Sequence, residues 1–459
     1  MRGKTNIPPR LGGIVNGVIR EYQVADGSEI AVGDYVELLD GSGVFDTESN
    51  TLYTTLLPWA FGAFLLSDGK VATFYFYNKK FGVRVSTIGN SGFLNEGVKT
   101  EFDLSGINSP VPDNISYDDI NVIELEQNRF LLFISSMGVG GFALITYENN
   151  GWIFTPMSTN AEFVGSSSTS IRSTYSAMCA IDSSHIAISF SNKVYIGKID
   201  GYTMTFGDVT TMTTSASSKN MYMLNGYLFL IDFTYLTTFT VNTESLSATI
   251  VSNATVESFT RPMNGCVSKL TDNKIIVMNT KSSTSTSSYL YATIITVNEN
   301  GSITIARNKT AVSTFKASAN IMNGYAYVFA DGRILLLCVL QTGGSSYAGY
   351  VYACMGVYDS TADTVRFGEL SMQGTTNDWK STSSASGAWY LSSVELGDGI
   401  VYSVVAVGTH TRQIVLKIEQ NAIVALSEYT FVKEYTSRIN GIAKTAGSAG
   451  NTIEVYSPE

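Results

Sequence analysis

The chain has 459 residues, of which 44% are hydrophobic and only 15% charged; with charge so far below the usual share of about 25%, solubility must come from Ser, Thr, Asn and Gly. The formal net charge is −10, and Lys and Arg are scattered with no basic stripe, which excludes the electrostatic footprint of a nucleic-acid-binding protein. Tyr and Phe number 26 and 23, Pro only 8, and no long amphipathic stretch of helical period appears, so the chain reads as nearly all β.

Met1-Arg2-Gly3-Lys4 is basic, but no apolar run follows before Pro8-Pro9, so a secretory signal peptide is not expected. Residues 5–40 predict one small β unit. It has a strand over 17–24, a turn at Ala25-Asp26-Gly27-Ser28, an alternating strand over 30–38 and a flexible exit at Asp40-Gly41-Ser42-Gly43.

A short turn then recurs. It appears as Leu66-Ser67-Asp68-Gly69-Lys70-Val71, then around Gln127-Asn128, Asp182-Ser183, Asn225-Gly226, Asp272-Asn273, Asp331-Gly332 and Asp398-Gly399. Asp-Gly and Asn-Gly suit tight hairpins, because both central residues adopt positive φ at low cost. Seven copies at spacings of about 40–70 residues form a repeat. Each is followed by an apolar strand, a polar break and two further strand candidates, so each repeat supplies four antiparallel strands, the blade of a β-propeller. In the seventh repeat the third and fourth strands are expected over 413–418 and 422–428.

The strand after each turn is almost continuously apolar, as in Ile334-Leu335-Leu336-Leu337-Cys338-Val339-Leu340. Burial on both faces between neighbouring blades accounts for that. This run is also the longest apolar one, far short of a membrane span, so no membrane insertion is expected. Stacked β-sandwiches are the alternative, but they do not require one equivalent turn throughout. The Ser- and Thr-rich stretches 166–170, 281–288 and 381–386 read as solvated loops. The last segment lacks the blade pattern. It predicts a strand over 439–445, a small-residue turn over 446–450 and an alternating strand over 451–456.

The two ends carry a resemblance. Ala25-Asp26-Gly27-Ser28-Glu29-Ile30-Ala31-Val32-Gly33-Asp34-Tyr35-Val36-Glu37 is similar to the opening of many tailed-bacteriophage virion proteins. Asn440-Gly441-Ile442-Ala443-Lys444-Thr445, followed by Ala449-Gly450-Asn451-Thr452-Ile453-Glu454-Val455-Tyr456, is similar to the matching close. In small capsid-decorating proteins such segments belong to one compact β-barrel. The resemblance implies a small β-barrel or β-sandwich anchor from residues 1–45 and 433–459, with a seven-bladed β-propeller over 46–432 inserted in it. It departs from the decorating family, where the barrel is the whole protein. A closed ring brings its ends together, and insertion at a surface turn is tolerated when the ends lie close.

Little chemistry is legible. His185 and His410 are the only histidines, no Gly-x-Ser-x-Gly turn occurs, and the oxygen-rich segment Asp113-Asn114 with Asp118-Asp119 and Asn121 lacks the Gly and Glu of a calcium loop. Ser67-Asp68-Gly69 departs from the Ser-x-Asp-x-Gly-x-x-Trp boxes of sialidases, and no pair of carboxylates for glycoside cleavage is evident. Cys179, Cys266, Cys338 and Cys354 form no Cys-x-x-Cys pair and read as buried free thiols. No catalytic residue, metal or cofactor is expected.

A binding face is the better expectation. The loops joining the second and third strands share one face of a propeller, here 78–80, 137–140, 281–288, 342–347 and 408–412. They mix Ser and Thr with Tyr and a few cations, suiting adaptable recognition. Lys79, Lys281, Tyr347, His410 and Arg412 are the candidate ligand-binding residues, and a host cell-surface glycan is the candidate ligand. The expected protein sits on a virion surface as a homo-oligomer, held by other capsid or tail proteins. A free propeller lectin or scaffold is the alternative, and a glycan-cleaving enzyme a more distant one.

Overall fold

The structure, a computed structural model, describes most of residues 18–457. Residues 1–17, 40–46, 54–58, 108–119, 164–175, 213–219, 256–266, 374–391, 418–430 and 435–440, with shorter stretches between strands, lie outside the described residues. The architecture is all-β, built of small antiparallel sheets. Among the described residues no helix is long and apolar enough to cross a membrane.

The two ends of the chain share a five-stranded sheet, in the order Val18–Gln23, Thr452–Ser457, Gly441–Ala443, Tyr35–Leu39 and Phe431–Glu434. The first and last strands of the chain are antiparallel partners, from Val18 opposite Ser457 to Gln23 opposite Thr452. A two-stranded ribbon of Glu29–Ile30 with Gly447–Ser448 adds a second link between the ends. The strand expected over 30–38 is two separate strands, Glu29–Ile30 and Tyr35–Leu39. Ala31, Gly33 and Asp34 between them lie outside the described residues.

Between these ends, among the described residues, lie seven groups built on four strands each; short extra strands, Thr210–Thr211, Ala311–Lys316 and Ser371–Gln373, pair with the third strands of the third, fifth and sixth. The first is Trp59–Leu65, Val71–Tyr77, Lys80–Ile88 and Leu94–Phe102; the second is Ile120–Glu126, Arg129–Ser136, Val139–Glu148 and Gly151–Thr159. The third is Ser176–Ala180, His185–Phe190, Lys193–Asp200 and Thr203–Phe206; the fourth is Asn220–Leu224, Tyr227–Ile231, Tyr235–Asn242 and Ser247–Thr255. The fifth is Val267–Thr271, Lys274–Thr284, Ser287–Val297 and Ile303–Ala306; the sixth is Ala319–Val328, Arg333–Thr342, Ala348–Asp359 and Thr364–Phe367. A parallel pairing of Ser158 and Thr159 with Thr203 and Met204 joins the second and third groups at their outer strands.

The seventh group corrects the sequence expectation. Ser392–Gly397, Ile400–Val407 and His410–Lys417 are completed by Thr47–Tyr53, which comes from before the first group. Leu416 pairs with Thr47 and Val415 with Glu48. Residues 422–428, expected to fill this place, lie outside the described residues. An outermost strand has one free edge and packs less, so Thr47-Glu48-Ser49-Asn50-Thr51-Leu52-Tyr53 needs no apolar run and gives none.

The second strands show why their sequences are so apolar. In Val71–Tyr77, Ala72, Phe74 and Phe76 pack with Phe130, Leu132 and Ile134 of the second group, while Val71 and Tyr75 pack with Tyr402 and Val404 of the seventh. In Arg129–Ser136, Phe130 and Leu132 face the first group, and Leu131 and Phe133 pack with Ile186, Ile188 and Phe190 of the third. The same alternation carries on through Leu228 and Phe229, then Ile275 and Ile276. Each strand is therefore covered on both faces, and period-two polarity disappears. Aromatic contacts thicken the seams, with Phe74 and Phe130 rings 5.1 Å apart and Phe133 and Phe190 rings 5.9 Å apart. The sixth group meets the seventh where Glu395 N donates to Tyr327 Oη at 3.2 Å.

Candidate functional site

Every repeated turn joins the first and second strands of its group, so all belong to the same end of the strands. Two of the described turns differ in geometry. Asn225 and Gly226 both have positive φ, 52° and 79°, the primed turn expected of Asn-Gly. At Asp68-Gly69 only Gly69 is left-handed, at 79°, and the turn has three residues, with Leu66 N donating to Lys70 O and Gly69 N to Leu66 O. That is a type I turn closed by a left-handed glycine. A Cβ on either glycine would meet nothing within 4 Å, so the requirement is for backbone conformation, not space.

The turns also bind one another. Ser67 N donates to Asn128 Oδ1 at 2.9 Å, and Asn128 Nδ2 returns a bond to Ser67 Oγ at 2.6 Å. Arg129 Nη1 donates to Ser183 O at 3.2 Å, and Asn225 N to Asp272 O at 2.8 Å. A residue at the start of a second strand, or just before it, repeatedly reaches into the next group. Lys70 Nζ bonds Asp68 Oδ2 at 2.6 Å, Asn150 Oδ1 at 2.9 Å and Tyr147 Oη at 3.3 Å. Lys274 Nζ bonds Asp363 Oδ1 at 2.6 Å, and Tyr358 Oη donates to the same carboxylate oxygen at 2.7 Å. Tyr227 Oη donates to Glu299 O at 3.0 Å. Partial burial opposes the charge on Asp68 and Asp363, but the lysine and tyrosine hydrogen bonds outweigh it, and both carboxyls sit below the ordinary aspartate value. These polar groups are spent on one another, so this end of the strands is a set of latches.

Asp182, Ser184 and His185 lie together in the third turn without forming a nucleophilic relay. Ser184 Oγ and Asp182 Oδ2 both approach His185 Nδ1, at 3.2 and 2.9 Å, so the serine is not on the opposite ring nitrogen as a relay requires. Asp182 instead caps the turn, accepting from Ser184 N at 2.7 Å and His185 N at 2.8 Å. Cys179 is a free thiol, and burial pushes it up to about 12, away from nucleophilic thiolate. Among the described residues no three His, Cys, Asp or Glu side chains group as metal ligands.

Of the sequence-predicted ligand residues, Lys281, His410 and Arg412 are described and belong to the other end of the strands. Lys79 and Tyr347 lie outside the described residues. Lys281 is on a strand, not in a loop: Lys274–Thr284 and Ser287–Val297 form a long hairpin in which Lys281 pairs with Tyr289. His410 and Arg412 likewise belong to the strand His410–Lys417, opposite Val407 and Val405. Thr and Ser tolerate strand pairing beyond the core, and the loops are correspondingly shorter than the composition suggests.

At this end the fourth group and Met212, whose N donates to Asn192 O of the third group at 2.7 Å, line a cleft of about 230 Å³ with Tyr235, Thr237, Ile250, Asn253, Ala254 and Thr255. Tyr235 opens the third strand of its group opposite Thr255, and Thr237 stands opposite Asn253. A register shift after Thr238 puts Ile250 opposite Phe239 and leaves Val251 extra. The bulge lets apolar Ile250 share a face with Asn253 and Thr255. Ile250 packs with buried Met212 and Phe239 at the base, whereas Tyr235 is 41% exposed at the mouth. Sequence reasoning missed Tyr235, because a tyrosine at a strand start ordinarily signals packing.

No protein-family model matches the sequence, and no curated protein matches it. Solved structures match loosely. The chain is similar to a protein from Lactobacillus plantarum at 11% identity and a TM-score of 0.44, covering 75% of this chain and 95% of that one. It is similar to the S. cerevisiae core factor at 11% identity and 0.43, covering 83% and 62%. It is also similar to the WD40 domain of SCAP from fission yeast at 11% identity and 0.40, covering 88% and 99%. Likenesses this loose carry no argument about what the chain does.

Proposed function

We propose that the chain is a structural protein exposed on a tailed-bacteriophage virion. Its two ends form an anchoring β module, and the seven groups form a seven-bladed propeller inserted in that module and turned toward the host surface for adhesion. The observation that carries the reading is the shared terminal sheet. Val18–Gln23 pairs with Thr452–Ser457, and all seven groups fall between them in sequence. The end motifs that resemble virion proteins are thereby brought together as one unit.

The division of the propeller's two ends supports the adhesive part. One end spends its polar side chains on latches between neighbours. The other carries the cleft with an exposed tyrosine and uncharged polar side chains. Adhesion to a glycan asks for such a surface, with an amphipathic ring and hydrogen-bonding groups on a rigid frame. Immunogold electron microscopy of purified particles tests the placement. Label on the particle surface is the expected outcome, and particles free of label contradict it.

A further inference from the structure

We propose that the cleft between the third and fourth groups is a saccharide site that holds one neutral pyranose ring against Tyr235. The inference rests on reading this end of the strands as the recognition face, and it names the ligand class and the residues.

The size of the cleft limits the ligand. At about 230 Å³ it falls below the roughly 300–1,000 Å³ of drug-sized sites, and a single sugar ring is the appropriate scale. The lining contains no charged residue. An ionised sialic or uronic acid would lose hydration there without a counter-charge, so the site selects neutral sugars.

The chemistry is layered as a pyranose requires. Met212 and Ile250 give an apolar base continuous with the core between the two groups. Above it, cross-strand pairing sets Tyr235 beside Thr255 and Thr237 beside Asn253. The Thr237 hydroxyl donates to Asn253 Oδ1 at 2.9 Å. That bond fixes the carboxamide with its oxygen committed and its Nδ2 as the donor offered to a sugar hydroxyl. Thr237 is 7% exposed, so its own rotamer is held by packing. The Tyr235 ring, exposed at the mouth, presents an apolar face to the C–H side of a pyranose and a phenol to its rim.

The test uses the full chain, titrated by saturation-transfer NMR and calorimetry with glucose, galactose, mannose, N-acetylglucosamine and N-acetylneuraminic acid. Tyr235→Ala, Tyr235→Phe and Asn253→Ala are compared with the parent, each checked for parental circular dichroism. At least one neutral sugar is expected to bind, and N-acetylneuraminic acid is not. Tyr235→Ala is expected to weaken binding at least tenfold and Asn253→Ala severalfold, while Tyr235→Phe keeps most of it. Undiminished binding by Tyr235→Ala overturns this site and leaves the adhesive reading intact. So does failure of every neutral sugar to bind while the chain still adheres to host cells. Loss of both sugar binding and adherence overturns the two readings together.

Discussion

Lys70 stands just before the second strand of its group and Lys274 opens one, and their ammonium groups end against carboxylates, tyrosines and a side-chain amide of the same turn or the next group. The two clusters, Lys70 with Asp68, Tyr147 and Asn150 and Lys274 with Asp363 and Tyr358, are built alike although they lie in different seams. Asp182 in the third turn is also held below the ordinary value; burial works against its charge, and bonds from Ser184 and His185 outweigh that. Lowered carboxyls stabilise the fold when ionised. Their contribution is complete above the unfolded value, about pH 4, and is lost as pH falls through the lowered native values. The thermal midpoint is therefore expected to hold from neutrality down to about pH 5 and to fall below about pH 4. In Asp363→Asn the midpoint should start lower at neutral pH, and the acid fall should be shallower. An equally steep fall in that variant would show that Asp363 does not carry the effect.

At the scale of elements, turns and inner strands were the legible part of the sequence. Asn225-Gly226 announces its hairpin because few other pairs place two left-handed residues in succession. Gly226→Ala is expected to cost about 1 kcal/mol, from the left-handed backbone alone since the added methyl meets open space. Urea denaturation measures it, and an unchanged midpoint would contradict the conformational account. Asp68-Gly69 was legible as a turn, but its three-residue geometry was not, because Asp-Gly fits both turn classes. The outer strand Thr47–Tyr53 was missed altogether, having neither an apolar run nor a turn beside it. Its pairing with His410–Lys417 completes the seventh group. Ser49→Pro and Asn50→Pro together remove consecutive N–H donors, one of which must belong to the ladder. The double variant is expected to unfold at lower temperature and to expose the seam where Thr73 Oγ1 meets Tyr402 Oη at 2.7 Å, read as faster hydrogen exchange in residues 71–77. Unaltered exchange there would show that the outer strand does not hold the closure.

At the scale of the whole molecule, the candidate site was less legible than the fold. Residues were assigned to it by loop composition, yet Lys281, His410 and Arg412 belong to strands. The cleft depends on a bulge at Val251 and on the approach of two groups, which local sequence does not encode. The pairing of the two ends was legible only through their motifs, since their strands are short and alternating like many others. The central claim is that the ends anchor and the ring between them presents. Removing residues 1–40 and 433–459 leaves Thr47–Tyr53 in place to complete the seventh group. The direct measurement is mass spectrometry of purified particles made with the full or shortened chain, alongside circular dichroism of the shortened protein. The account predicts that the full chain purifies with particles, while the shortened one stays folded, β-rich and unattached. A shortened chain that remains on the particle, or one that fails to fold, would contradict it.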